Sequence, residues 1–294
     1  MRETIVDRAY AKTLLPPRKE DGHKGDFGKL LVLGGSVGYT GAPYLAASAA
    51  VHSGCGLVYL GVPESIWAVE AQKCVSAMPF PLPETDGRLC LAALDKMQDK
   101  LKGCDVLALG PGLGRGKETE QLVHALLWQV KEPLVLDADG LNAAARLLAE
   151  GAAFPHPAGE LIVTPHPGEM ARLTGLSAAQ INADREGTAL RCAQAWNAVV
   201  VLKGARTVVA APDGRVRVNP TGNPGLSRGG SGDVLAGMTA ALLACRLPAY
   251  EAAACAVYLH GAAADRAAAV HGEYGMLPHD ILPELGRMFA EHQR

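Results

Sequence analysis

The strongest constraint in this chain is an alternation: short apolar runs, each closed by a turn rich in Gly, Pro or Asp, are separated by Ala-rich stretches of helical length. Apolar runs of this kind suit strands covered on both faces, the condition of a parallel sheet between helical layers. Strands are predicted over 29–33, 56–61, 105–110, 133–137, 160–164 and 199–203. Helices are predicted over 41–52, 118–130, 139–149, 178–196, 233–244, 249–269 and 278–290. One segment reads otherwise: 207–211 and 215–218 alternate around Pro212-Asp213-Gly214 and predict a small β-hairpin. No repeat, low-complexity stretch or flexible linker divides the chain, so a single α/β domain over 1–294 is expected.

Charge narrows the ligands. With 28 Lys+Arg against 30 Asp+Glu the net charge is −2, which gives no electrostatic reason to expect nucleic acid or an anionic membrane as partner. An anionic ligand must be gripped locally. The seven cysteines are scattered, with no CxxC pair and no zinc spacing, which points to a reducing, cytoplasmic compartment. The N-terminal residues lack the apolar core of a secretory signal, and no apolar run reaches the roughly 18 residues of a membrane span.

An open parallel sheet carries its ligand crevice at the carboxyl ends of its strands, and there the excess of Gly (34) and Pro (19) falls. The run from Gly34 to Pro43 can bring backbone N–H groups close to a ligand but lacks the GK[ST] of a P-loop. Gly110-Pro111-Gly112-Leu113-Gly114-Arg115 fails the GxGxxG spacing of a dinucleotide fingerprint. In Asp137-Ala138-Asp139, Asp139 is read as a helix cap, while Asp137 stays open between packing and a role near magnesium or substrate hydroxyls. His166 stands between two prolines, which would fix its ring at low entropic cost, and Glu169 suits the positive end of the next helix without needing a catalytic role. Lys203 and Arg206 flank Gly204-Ala205 and read either as phosphate grips or as solvated turn residues.

The most informative stretch runs from Thr221 to Gly237. A glycine run entering a helix offers unpaired N–H donors and a positive dipole end, together an anion hole, with Asp233 at its edge. Four glycines, at 225, 229, 230 and 232, cost roughly 0.5–1 kcal/mol each in backbone entropy. A first-turn carboxylate returns only about 0.3–1 kcal/mol. Close approach to a phosphoryl group justifies the difference, with Asp233 placed to take a proton from an attacking hydroxyl.

Six stretches in one order, GGSVGYTGAPYLAASAAVHSGCGLVYLGVP, LGPGLGR, VLDADGLNA, TPHPGEMARLTG, VVLKGART and NPGLSRGGSGDVLAG, cover about residues 24–290 and resemble the NAD(P)H-hydrate dehydratase family. The resemblance implies a ribokinase-like three-layer α/β/α sandwich with residues 1–23 as an N-terminal extension. It implies an enzyme that uses ADP, or ATP, with Mg2+ to restore NADHX or NADPHX to NADH or NADPH. By resemblance Ala42, Gly112, His166 and Asp233 bind the hydrated dinucleotide, and Lys203, Gly204, Ala205, Arg206, Thr207 and Gly232 hold the adenine nucleotide. Asp233 is the implied general base, and the amides of Gly229, Gly230, Ser231 and Gly232 would stabilise the transferring phosphoryl group. Relatives also imply a homotetramer and an epimerase on a separate protein that supplies the S epimer. Ser231 stands where many relatives carry Thr, and Arg228 stands where small or neutral residues are frequent. A small-molecule kinase of the same fold, acting on a hydroxymethylpyrimidine, hydroxyethylthiazole or sugar alcohol, would use the same anion hole; a non-catalytic nucleotide sensor is a third reading.

Overall fold

In a computed structural model that describes residues 5–15, 18, 20–154 and 159–292, the apolar runs become strands of one nine-stranded sheet. The strands are β1 (Lys29–Leu33), β2 (Leu57–Pro63), β3 (Met78–Leu82), β4 (Glu84–Thr85), β5 (Arg88–Leu89), β6 (Val106–Leu109), β7 (Leu134–Leu136), β8 (Leu161–Val163), β9 (Val199–Leu202), β10 (Val208–Ala210) and β11 (Val216–Val218). The large sheet has the order β11-β10-β9-β8-β7-β6-β1-β2-β3. Pairing is parallel from β3 through to β9, and antiparallel where β10 meets β9 and β11, as the hairpin pattern predicts.

Two pairings escaped the sequence. β3 reads Met78-Pro79-Phe80-Pro81-Leu82, and a proline at alternate positions argues against a central strand. It lies at the sheet edge, where the missing N–H groups on its outward side leave no ladder bond unmade. β4 and β5 form a separate two-stranded ribbon around Asp86-Gly87, the pair of residue types that favours a tight hairpin turn.

The helices are α1 (Arg8–Leu14), α2 (Gly41–His52), α3 (Glu64–Lys73), α4 (Ala93–Lys102), α5 (Lys117–Gln129), α6 (Ala138–Ala149), α7 (Pro167–Thr174), α8 (Ala178–Ala183), α9 (Arg185–Trp196), α10 (Ser231–Ala244), α11 (Ala249–Gly275) and α12 (Ile281–His292). The single helix expected over 178–196 is two. Asp184 leaves helical geometry at φ −144° and ψ 70°, and its carboxylate accepts the Gly187 N–H as the cap of α9. Part of the expected N-terminal extension is structured: α1 contacts α11, and the Val6 N–H donates to the Val218 carbonyl at 3.0 Å. Among the described residues no helix is long and apolar enough to cross a membrane.

Period-two alternation divides the buried strand residues between two cores. Leu30, Val32, Val106, Ala108 and Val135 meet α2, α10 and α11, while Leu31, Leu33, Leu107, Leu109, Leu134 and Leu136 meet α4, α5, α6 and α9. This gives the three layers. α10 lies across β1, β6 and β7 with its first turn at their carboxyl ends, and α2 packs closely along it. The approach is close because Gly237 faces Ala46: a Cβ on Gly237 would overlap the Ala46 carbonyl oxygen.

Gly237→Ala therefore forces α10 and α2 apart, and a loss of roughly 1–3 kcal/mol is expected by overpacking. Chemical denaturation measures it, and an unchanged midpoint would refute the close-packing argument.

Candidate active site

Three adjacent strands deliver polar groups to one point. β7 ends at Asp137, β8 at Thr164-Pro165-His166 and β9 at Lys203. Asp137, 1% exposed, accepts hydrogen bonds through Oδ1 from Thr164 Oγ1 and Lys203 Nζ, both at 2.6 Å. Glu169 Oε2 lies 3.9 Å from the same ammonium. Lys203 thus turns inward, its side chain only 16% exposed, rather than standing at the mouth as a turn cation. Burial alone would neutralise it, but Asp137 and Glu169 overcome that and raise its pKa.

One ammonium among several carboxylates cannot hold all of them fully ionised. Burial pushes Glu169 and Asp233 upward, and Asp233 reaches about 7, with the Asp137 charge adding to burial and Lys203 opposing it. Glu169 is more than a dipole partner: it is 5% exposed and closes a capping box, its Oε2 accepting the His166 N–H at 2.8 Å. His166 Nδ1 accepts the N–H groups of Gly168 (3.0 Å) and Glu169 (3.2 Å). That fixes the ring, puts the proton of the neutral form on Nε2 facing Glu169 Oε1 at 3.3 Å, and leaves the imidazole half exposed at the crevice. Burial, then Lys203 and Arg172, lowers the His166 pKa and favours the neutral ring.

Asp139 does not cap its helix. The N-cap position of α6 belongs to Asp137, whose carboxylate is committed to Lys203, and Ala138 takes φ +49°, a strained left-handed value for a residue with a Cβ. Asp139 instead accepts the Gly114 N–H at 2.9 Å and the Asn142 amide at 3.1 Å, pinning the loop after β6. That loop brings Gly112 against Tyr39 and Ala42 at the start of α2. The expected substrate residues Ala42, Gly112, His166 and Asp233 therefore all stand at the carboxyl ends of the strands, around the first turn of α10.

Gly230 caps α10 at φ +100°, a value that favours glycine. The Ser231 N–H reaches the Arg228 carbonyl (3.3 Å) and the Val234 N–H that of Gly230 (3.1 Å), but among the described residues no acceptor meets the amides of Gly229, Gly230, Gly232 and Asp233. The Ser231 hydroxyl is buried and also unpartnered. These are the bare donors of an anion site. Lys203 stands directly behind them: a Cβ on Gly232 would lie 3.3 Å from its Nζ. Of the four glycines grouped in the sequence, Gly225 serves differently, since it sits in a short turn against Met276.

Gly204, Ala205 and Arg206 form an exposed turn beside this site, and Thr207 Oγ1 donates to the Gly204 carbonyl at 3.0 Å. Arg228 donates to the Tyr274 carbonyl at 2.8 Å, which ties it to the end of α11. Sequence reasoning missed Arg185, whose guanidinium donates to the carbonyls of Leu202 (2.9 Å) and Lys203 (3.1 Å) and braces that turn. It also missed Asp265, which accepts from the Gly222 N–H and the Asn223 amide, both at 3.0 Å. Both lie on helices that meet the site only in the fold. Thr164 was legible, since it ends a predicted strand next to His166.

Asp233 is protonated more readily in the folded chain than in the unfolded one. The stability this gives is complete below the unfolded pKa near 3.8 and is lost as pH rises through about 7. Asp233→Asn is therefore expected to raise Tm at pH 8 and leave it nearly unchanged below pH 4. Thermal unfolding at the two pH values checks this, and a lower Tm at pH 8 would contradict the assignment.

Comparison with known proteins agrees with this geometry. The family model for NAD(P)H-hydrate dehydratase matches residues 30–287. The bifunctional NAD(P)H-hydrate repair enzyme Nnr of Moorella thermoacetica is 48% identical over 95% of this chain and 52% of its own length. The ADP-dependent (S)-NAD(P)H-hydrate dehydratase of Neisseria meningitidis is 42% identical over 84% of this chain and 80% of its own. The chain spans about half the length of the bifunctional relatives it matches. Among solved structures, the ADP/ATP-dependent NAD(P)H-hydrate dehydratase of Bacillus subtilis, co-crystallised with ATP/Mg2+, superposes with a TM-score of 0.84 at 32% identity over 99% of both chains. The three-layer sheet is the ribokinase-like fold that the motifs imply. By its motifs, its fold and these similarities, the chain belongs to the NAD(P)H-hydrate dehydratase family.

Proposed function

We propose that this chain is an ADP-dependent dehydratase acting on the S epimers of NADHX and NADPHX. The observation that carries the reading is the set of unsatisfied amides opening α10, with Asp233 beside them and its pKa near 7. A base with that pKa is matched to proton abstraction at neutral pH.

Hydroxide is a poor leaving group, so dehydration of the nicotinamide ring gains from conversion of its hydroxyl to a phosphate ester. Asp233 accepts the hydroxyl proton while the oxygen attacks the terminal phosphorus of ADP, and AMP departs. The Gly229, Gly230 and Gly232 amides stabilise the charge on the transferring group, with the Lys203 ammonium behind them. The ring nitrogen lone pair then expels phosphate, and loss of the neighbouring C–H proton restores the double bond. Ala42, Gly112 and His166 wall the dinucleotide site, and the Lys203–Thr207 turn holds the nucleotide. Among the described residues no group of three His, Cys, Asp or Glu side chains is arranged to hold a metal. Magnesium would be carried chiefly by the nucleotide phosphates and would offset their charge. Epimerisation of the R form falls to an activity outside this fold, in the same cytoplasmic compartment. Exposed Trp67, Val69, Val75 and Met78 beside the β3 edge support assembly of several copies.

The test incubates purified protein with S-NADHX, magnesium and either ADP or ATP and follows the dihydronicotinamide absorbance. Recovery with ADP is expected. Asp233→Asn should slow it roughly 10²–10⁴-fold while ADP still binds. The kcat/KM of the native protein should fall as pH drops below about 7, tenfold per unit, as Asp233 takes up its proton. Phosphorylation of a vitamin precursor without NADH recovery would favour the kinase reading instead.

A further inference from the structure

A cleft of about 330 Å³ opens between α5 and α6, on the layer opposite α10. Arg115, Arg146 and Arg172 line it, against the carboxylates of Glu120 and Asp139. We propose that this cleft receives a phosphate group of the hydrated dinucleotide, gripped by these three guanidinium groups. The inference rests on the dehydratase reading above and adds to it the place where the remote half of the substrate is bound.

Three observations carry it. First, the cations are incompletely neutralised. Arg172 donates through Nε to the neutral Asn142 amide oxygen at 2.8 Å, and among the described residues no carboxylate lies within 4.0 Å of it. Arg115 stands 4.0 Å from Asp139 with its side chain 62% exposed, and only Arg146 has a close partner, Glu120 at 2.9 Å. A guanidinium with free N–H groups in a concave site matches the oxygens of a phosphate bidentately.

Second, the cleft adjoins the loop that reaches the crevice. Gly114 and Asp139 line it, and their 2.9 Å hydrogen bond fixes the same loop that presents Gly112 to Ala42. Arg172 lies in the last turn of the short helix that His166 caps. A ligand seated at Gly112 and His166 therefore has the cleft beside it.

Third, the nucleotide is not the natural occupant. Its expected loops are the turn after β9, two strands from β7, and the entry to α10, which packs on the face of the sheet opposite α5 and α6. An anion in the cleft belongs to the molecule that passes Gly112.

The phosphate has two possible sources on that molecule: the diphosphate common to both dinucleotides, or the ribose phosphate that only NADPHX carries. Calorimetric binding and turnover of S-NADHX and S-NADPHX distinguish them in Arg115→Ala, Arg146→Ala and Arg172→Ala. A roughly tenfold or greater weakening is expected for at least one of these variants. Loss confined to NADPHX assigns the cleft to the ribose phosphate, and equal loss on both assigns it to the diphosphate. Glu120→Gln should tighten binding by removing a repulsive charge. The KM for ADP should not move. Unaltered binding of both dinucleotides in all three variants, or a parallel rise in the ADP KM, overturns the proposal. Native protein that binds the hydrated dinucleotides but never dehydrates them sinks the dehydratase reading, while the variants' binding still decides the cleft. Native protein that binds neither overturns both.

Discussion

The ion pair between Lys203 and Asp137 ties this site together. It joins the ends of β7 and β9 at 2.6 Å, and Thr164 adds the end of β8 through the same Asp137 oxygen. Removing one member of such a buried pair costs about 3–5 kcal/mol, because the remaining charge is stranded. The pair also sets the local electrostatics. Asp137 takes most of the ammonium's field, so Glu169 and Asp233 share what is left and are pushed upward by burial. A base with a pKa near neutrality follows from burial and the neighbouring Asp137 charge, which the shared cation offsets only in part.

The same ammonium reaches the anion site. Gly232 leaves room for Nζ behind the first turn of α10, so positive charge and bare amides face the crevice from one place. Helix dipole, unpaired N–H groups and a buried cation then favour the same occupant, an anion. The arrangement carries a cost: Ala138, next to Asp137, holds a strained left-handed φ, and the buried Ser231 hydroxyl has no partner. Such concentration of strain and unpaired donors is usual where a protein has given up stability for function.

Much of this was legible beforehand. All six predicted strands and the hairpin are present, because continuous apolar runs and a Pro-Asp-Gly turn are local signals. The glycine entry to α10 and the placing of His166 were legible for the same reason. Edge strand β3 was hidden by its prolines, and α3 and α4 were overlooked between the stronger strand signals. The break at Asp184 was missed because the residues on either side continue a helical pattern.

The sequence by itself determined the layer order, the carboxyl-end crevice and the family, since each depends on periodicity or on motifs contiguous in the chain. Only the tertiary structure decided what the charged residues do. Lys203 turned from an apparent mouth cation into the inward partner of Asp137, Asp139 from a helix cap into a loop anchor, and Glu169 from a dipole partner into a buried member of the cluster. Arg185 joined the site from α9, and Arg115, Arg146 and Arg172 met around one cleft from separate segments. The physical reason is that electrostatic roles depend on distance and burial between residues far apart in sequence, and those quantities exist only once the chain has folded.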